Sequence, residues 1–210
     1  MQKNLLPALL CTAAMAMAST AQAATVSFTN LADGNGAALY FDVGTTSASG
    51  NTLNIGLSNF TANGQSQLSL SALDTLSFLV TAPTGFHITS ISYTESGTGA
   101  TTNGFALATG SLTADGIPKN FLTQMFTPNT GASSWSISGS IDIANKDAIA
   151  VSIVNSLFAV AFNPLADIAS ISKTGASISV EIAPVPLPPA VWMLGSALVG
   201  LATVGRRKFS

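Results

Sequence analysis

A single histidine, His87, bounds the chemistry open to this chain. Any Ser-His-Asp relay must run through it, and a histidine-rich metal site is excluded. His87 follows Gly85-Phe86 at the head of an alternating stretch, and no G-x-S-x-G elbow occurs anywhere. It reads as a surface or strand-end histidine. Asp33-Gly34-Asn35-Gly36 begins like a calcium loop, with oxygen side chains two apart, and Asp42 is weighed as a further acid facing the same loop. The pattern fails at Ala37, the next ligand position, and at Gly44, where a bidentate glutamate belongs. Asn and Asp before Gly are what a tight turn requires in any case. No cofactor is expected, with calcium the one exception weighed. Paired carboxylates cleave glycosidic bonds, but no spacing brings a second acid to Glu95. It stands before Ser96-Gly97-Thr98-Gly99 and reads as a solvent-facing strand end.

Aromatic side chains could serve as stacking platforms for a glycan. Trp135 and Tyr93 lie in phase with apolar neighbours and are expected in the core; Tyr40 is the other tyrosine. Phe121 and Phe126, in the loop-like Lys119–Thr130 stretch, are the candidates for exposure, or else caps on an open sandwich edge. Asn59-Phe60-Thr61 matches a glycosylation sequon, a triplet common by chance.

Strands must position these residues. Trp135, Ile137, Ile141 and Ile143 share one face of Ser134 to Ile143, with Ser136, Ser138 and Ser140 opposite. Ile149, Val151 and Ile153 repeat the period of two, as do Ile178, Val180 and Ile182, and Leu76, Phe78 and Val80. Leu68, Leu70 and, less regularly, Leu73 belong to the same pattern. Further strands are predicted at Thr25–Thr29, Ala37–Val43, Thr52–Leu57, His87–Glu95, Gly104–Ser111 and Leu157–Phe162. Turn signals such as Asp33-Gly34, Asn63-Gly64, Asn103-Gly104 and Asp115-Gly116 separate them. One helical turn each is conceivable at Asn145-Lys146-Asp147 and from Pro164 to Ile168. About ten short strands predict an all-β chain, a single antiparallel β-sandwich of jelly-roll-like form over residues 24–183.

Charge excludes one class of partner. Residues 24–183 carry Lys119, Lys146 and Lys173, no arginine, and all nine carboxylates. Nucleic-acid binding needs phosphate neutralisation, so it is not expected.

Residues 1–23 read as a secretory signal peptide. Lys3 supplies the charged start, Leu5 to Ala18 the apolar run, and Ala21-Gln22-Ala23 the cleavage site before Ala24. A lipoprotein signal at Cys11 is disfavoured by Leu10 before it. Cys11 is the only cysteine, so no disulfide can form in the mature chain.

Residues 184–210 close the chain with Val185-Pro186-Leu187-Pro188, an uncharged run with Trp192 near its outer end, and Arg206-Arg207-Lys208. The run approaches the ~20 residues of a membrane span, and the cations fix its end in the cytoplasm. This composite resembles the PEP-CTERM sorting signal of Gram-negative bacteria, in its VPLPA-type variant. Leu187 stands where the eponymous motif has glutamate, and Pro189 is inserted before Ala190. The resemblance covers the tail alone. It implies a transient inner-membrane helix and a partner, an exosortase-type membrane protease that recognises Pro186-x-Pro188. Transfer to the cell surface or exopolysaccharide matrix would follow.

The expectation is therefore an exported, non-enzymatic structural or adhesive protein. An exopolysaccharide-binding module of the same fold is the alternative, and a secreted glycan hydrolase the third reading.

Overall fold

A computed structural model describes residues 24–34, 40–64, 70–121, 123–163 and 165–186, with residues 193, 196 and 197. Residues 1–23, read above as a signal peptide, most of the tail, and Asn35 to Ala37 of the loop weighed for calcium lie outside the described residues. Among the described residues, no helix is long and apolar enough to cross a membrane.

The described chain is all-β, in two antiparallel sheets of six strands. Its strands are β1 (Ser27–Asp33), β2 (Phe41–Ser49), β3 (Thr52–Leu57), β4 (Thr61–Asn63), β5 (Leu70–Thr81) and β6 (Phe86–Thr101). There follow β7 (Gly104–Ala114), β8 (Ile117–Asn120), β9 (Gln124–Phe126), β10 (Ser133–Lys146), β11 (Ala148–Ala161) and β12 (Ala169–Pro184). One sheet runs β1-β5-β11-β7-β8, with β9 also on β7; the other runs β10-β6-β12-β3-β2, with β4 also on β12. The long strands β5, β6, β7, β10, β11 and β12 alternate strictly between the sheets. Each connection therefore passes from one sheet to the other, and across the core β6 lies over β7 and β12 over β11.

Alternation places the core as the sequence predicts. Trp135, Ile137, Ile141 and Ile143 are buried, as are Leu76, Phe78 and Val80, and Ile149, Val151 and Ile153. Together with Phe41, Phe60, Ile88, Ile91 and Leu157 they form one continuous apolar cluster between the sheets. Leu73, out of phase with Leu76, is exposed. Asp115 and Gly116 both take positive φ, 50° and 78°, in a two-residue hairpin between β7 and β8.

Several observed strands are longer than the predicted ones, because glycine and polar residues continue them. β6 does not stop at Glu95: Gly97 and Gly99 carry the inward face on to Thr101. At both glycines an aromatic ring occupies the space a side chain would fill, Trp135 at Gly97 and Phe126 at Gly99. The predicted helical turn at Asn145-Lys146-Asp147 is instead the end of β10, where Asn145 takes a φ of 48°.

Candidate functional site

Among the described residues, five buried positions are polar or charged: Thr101 at the end of β6, and Asp74, Glu95, Asn155 and Lys173 deeper in the core. Glu95 continues the buried face of Ile91 and Tyr93 on β6, and Asn155 that of Ile149, Val151 and Ile153 on β11. Asp74 precedes Leu76, Phe78 and Val80 in phase on β5, and Lys173 follows Ala169 and Ile171 on β12. After Lys173 the register with β6 slips by one residue before Gly175. The bulge moves the inward face from odd positions to Ile178 and Val180. Without that slip, Lys173 and Ile178 could not both face the core.

The four deeper side chains converge. Lys173 Nζ lies 2.6 Å from Glu95 Oε2, with the side chains 0% and 1% exposed. It also donates to Asn155 Oδ1 at 2.6 Å and to Tyr93 Oη. Asn155 Nδ2 donates to Glu95 Oε2 at 2.7 Å. The Tyr93 hydroxyl lies 2.9 Å from Glu95 Oε2 and 2.7 Å from Asn155 Oδ1. Glu95 Oε1 is buried and, among the described residues, has no hydrogen-bond partner. Asp74 stands directly opposite Asn155 in the β5–β11 register. Its carboxylate accepts the amides of Phe41 at 2.8 Å, Tyr40 at 3.0 Å and Thr75 at 2.7 Å.

Aromatic rings dry this cluster. The Lys173 amine lies 5.0, 5.3 and 5.2 Å from the ring centroids of Phe41, Phe60 and Tyr93, within cation–π range. Phe121 stacks on Tyr93 at 5.1 Å. Its ring sits where a side chain at Gly139 or Gly110 would stand, closing the edge between β10 and β7. A Cβ at Gly110 would also come within 2.3 Å of Asn155 Nδ2.

The environment shifts the titrating groups. Burial lowers the Lys173 amine to about 8, against the opposing charges of Glu95 and Asp74. Burial, reinforced by the Glu95 charge, raises the Tyr93 hydroxyl well above its ordinary value. Burial also raises Asp74, while the Phe41 and Thr75 amides pull it back.

Several expectations need correction. Glu95 is not a solvent-facing strand end: it lies mid-strand, buried against Lys173. Phe121 and Phe126 are not exposed platforms; both are buried as caps over glycines, which leave room for their rings. Tyr93 and Trp135 are in the core as expected. His87 is at a strand head, with Nδ1 2.6 Å from Asp147 Oδ1. The groove beside this pair includes Thr84 but, among the described residues, no serine. Asp42 Oδ1 accepts the Gly44 amide within its own turn at 2.9 Å. Among the described residues, no three His, Cys, Asp or Glu side chains converge as a metal site. In the sequon, Asn59 is exposed in a left-handed turn and Phe60 is buried.

Comparison with known proteins adds little. No protein-family model matches the chain, and no curated protein sequence matches it. A backbone likeness exists to the crystal structure of murine APRIL at pH 5.0. It covers 56% of this chain and all of that one, at 8% identity and a TM-score of 0.26. That likeness is too slight to carry an argument about fold or function.

Proposed function

We propose that this chain is a non-enzymatic structural or adhesive protein of a Gram-negative surface or extracellular matrix. In this reading it is a jelly-roll-like β-sandwich, exported through its signal peptide and held briefly in the inner membrane with its body in the periplasm. An exosortase-type protease then sorts it. The observation that carries the reading is the passage from the body into the tail. β12 ends at Pro184, and the Val185 amide donates to Gly85 O at 2.8 Å. Pro186 follows at once, with Leu187, Pro188, the apolar run and Arg206-Arg207-Lys208 beyond. The sorting motif thus begins where the sandwich stops. Replacing Pro186 and Pro188 by alanine is expected to leave an uncleaved membrane form. Processing of that variant at the wild-type rate would defeat the assignment.

A second reading, binding of exopolysaccharide, draws support from one surface feature. A groove of about 690 Å³ crosses the outer face of β6 and β10, lined by Ser92, Thr94, Ser138 and Ser140 with Lys119 and Asn120. Its hydroxyl and amide groups suit a neutral glycan. Retention of the protein on the host's exopolysaccharide, abolished by Ser138→Trp in that groove, would favour it. Shortening of the polysaccharide would favour a hydrolase instead.

A further inference from the structure

We infer that Lys173 and Asn155 are the reactants of an intramolecular amide bond, in which Lys173 Nζ displaces ammonia from the Asn155 carboxamide with Glu95 as proton carrier. The inference is independent of the sorting route, since every participant belongs to the folded body.

An amine and a carboxamide seldom meet in a dry core, and here a carboxylate touches both. Lys173 Nζ is 2.6 Å from Asn155 Oδ1. With a C=O bond of about 1.23 Å, Nζ is no more than about 3.8 Å from Asn155 Cγ, close to attack distance. Glu95 Oε2 contacts Nζ at 2.6 Å and Asn155 Nδ2, the leaving nitrogen, at 2.7 Å. Tyr93 Oη, 2.7 Å from Oδ1, is placed to donate to the oxygen on which negative charge develops. The surrounding rings of Phe41, Phe60 and Phe121 exclude the water that would compete as nucleophile.

The step balances without a further reagent. The Lys173 ammonium passes one proton to Glu95, leaving a neutral amine beside a neutral carboxylic acid. The Nζ lone pair attacks Cγ and the C=O electron pair moves onto Oδ1. Glu95 gives its proton to Nδ2 and recovers one from Nζ. The carbonyl then re-forms as the Cγ–Nδ2 bond breaks, and neutral ammonia leaves. The products are a secondary amide between Nζ and Cγ, ammonia, and Glu95 holding the proton it took from Nζ, so no unpaired charge stays in the core. No oxidation or reduction occurs. Because Lys173 and Asn155 belong to opposite sheets, the bond would tie the sandwich covalently across its core. A chain without a cysteine in residues 24–183 has no disulfide to do this.

The test is a tryptic map and intact mass of the purified full chain after folding. Residues 24–183 contain only Lys119, Lys146 and Lys173 as tryptic sites. Condensation lowers the mass by one ammonia, about 17 Da, and blocks cleavage after Lys173. The 147–173 peptide is then missing and a longer one, lighter by ammonia, replaces it. A succinimide at Asn155 would give the same mass loss but leave Lys173 cleavable, and would overturn the inference. So would an unshifted mass with a normal 147–173 peptide. Loss of water, about 18 Da, mapped to Asp74 would overturn the choice of Asn155. Glu95→Gln is expected to show an unshifted mass and full cleavage; if it condenses at the wild-type rate, Glu95 is not the proton carrier. The wild-type result decides the bond itself, whether or not the variant folds.

Discussion

Lys173 of one sheet and Asn155 of the other are joined at 2.6 Å, amine to carboxamide oxygen, in a buried polar cluster that apolar side chains surround. Burying a charge there is costly, and only close partners offset it. Glu95, Tyr93 and Asn155 supply those partners to Lys173.

Removing the amine alone should therefore be severe. Lys173→Ala strands the buried Glu95 carboxylate and is expected to destabilise the fold by roughly 3–5 kcal/mol. Replacing both partners, as Lys173→Met with Glu95→Leu, should cost less than the single change. Denaturant midpoints check this; a double variant weaker than Lys173→Ala would contradict the pairing.

Gly110 is kept bare by its neighbours. Gly110→Ala would set a methyl 2.3 Å from Asn155 Nδ2, with an expected cost of about 1–3 kcal/mol from overpacking. Gly131 has nothing within 4 Å of an added Cβ, so Gly131→Ala should stay within about 0.5 kcal/mol. Equal denaturation curves for the two would refute the close approach.

Phe121 separates two uses of an aromatic ring. As the cap on Tyr93, its replacement by alanine is expected to cost about 3–5 kcal/mol. It should also speed hydrogen exchange in β6 and β7. Unchanged stability with lost polysaccharide retention would make it a ligand platform instead.

The pH dependence has a definite sign. Before condensation, burial holds the Lys173 amine at about 8, below its ordinary 10.5. The folded chain thus binds fewer protons there than the unfolded chain across that window. This group's contribution to stability rises with pH from about 8 to 10.5. Condensation needs one proton shared by Lys173 and Glu95, with Tyr93 and Asp74 as the other titrating neighbours. Loss of that proton above about 8 should slow condensation about tenfold between pH 7 and pH 9. A rate that climbs over this range would remove the acid role of Glu95.

Much of the fold was legible because one buried face per strand writes itself as a period of two. Thr52–Leu57 is β3 with the predicted bounds, and Asp115-Gly116 makes its hairpin turn. The polar cluster was written in the same period and passed over. Glu95 stands two residues after Tyr93, Asn155 two after Ile153, and Asp74 two before Leu76. A charged residue in phase with apolar ones reads as a strand end when its partner is unknown, and only the opposite sheet supplies that partner. Lys173 was harder still, because the bulge before Gly175 breaks its phase with Ile178. The strand is read as ending at Glu95 because Gly97 and Gly99 carry no side chains of their own, and the rings that fill their places come from β10 and β9. The sorting signal proposed for residues 184–210 rests, by contrast, on a local sequence pattern that involves no tertiary partner.

The most direct measurement is the intact mass of the mature protein from its native host, taken separately from membranes and from medium or matrix. The sorting account predicts a surface or matrix form that has lost both ends, near Ala23 and near Pro188, with termini fixed by peptide mapping. A mature form that keeps its tail through Ser210 and stays in the membrane would contradict it.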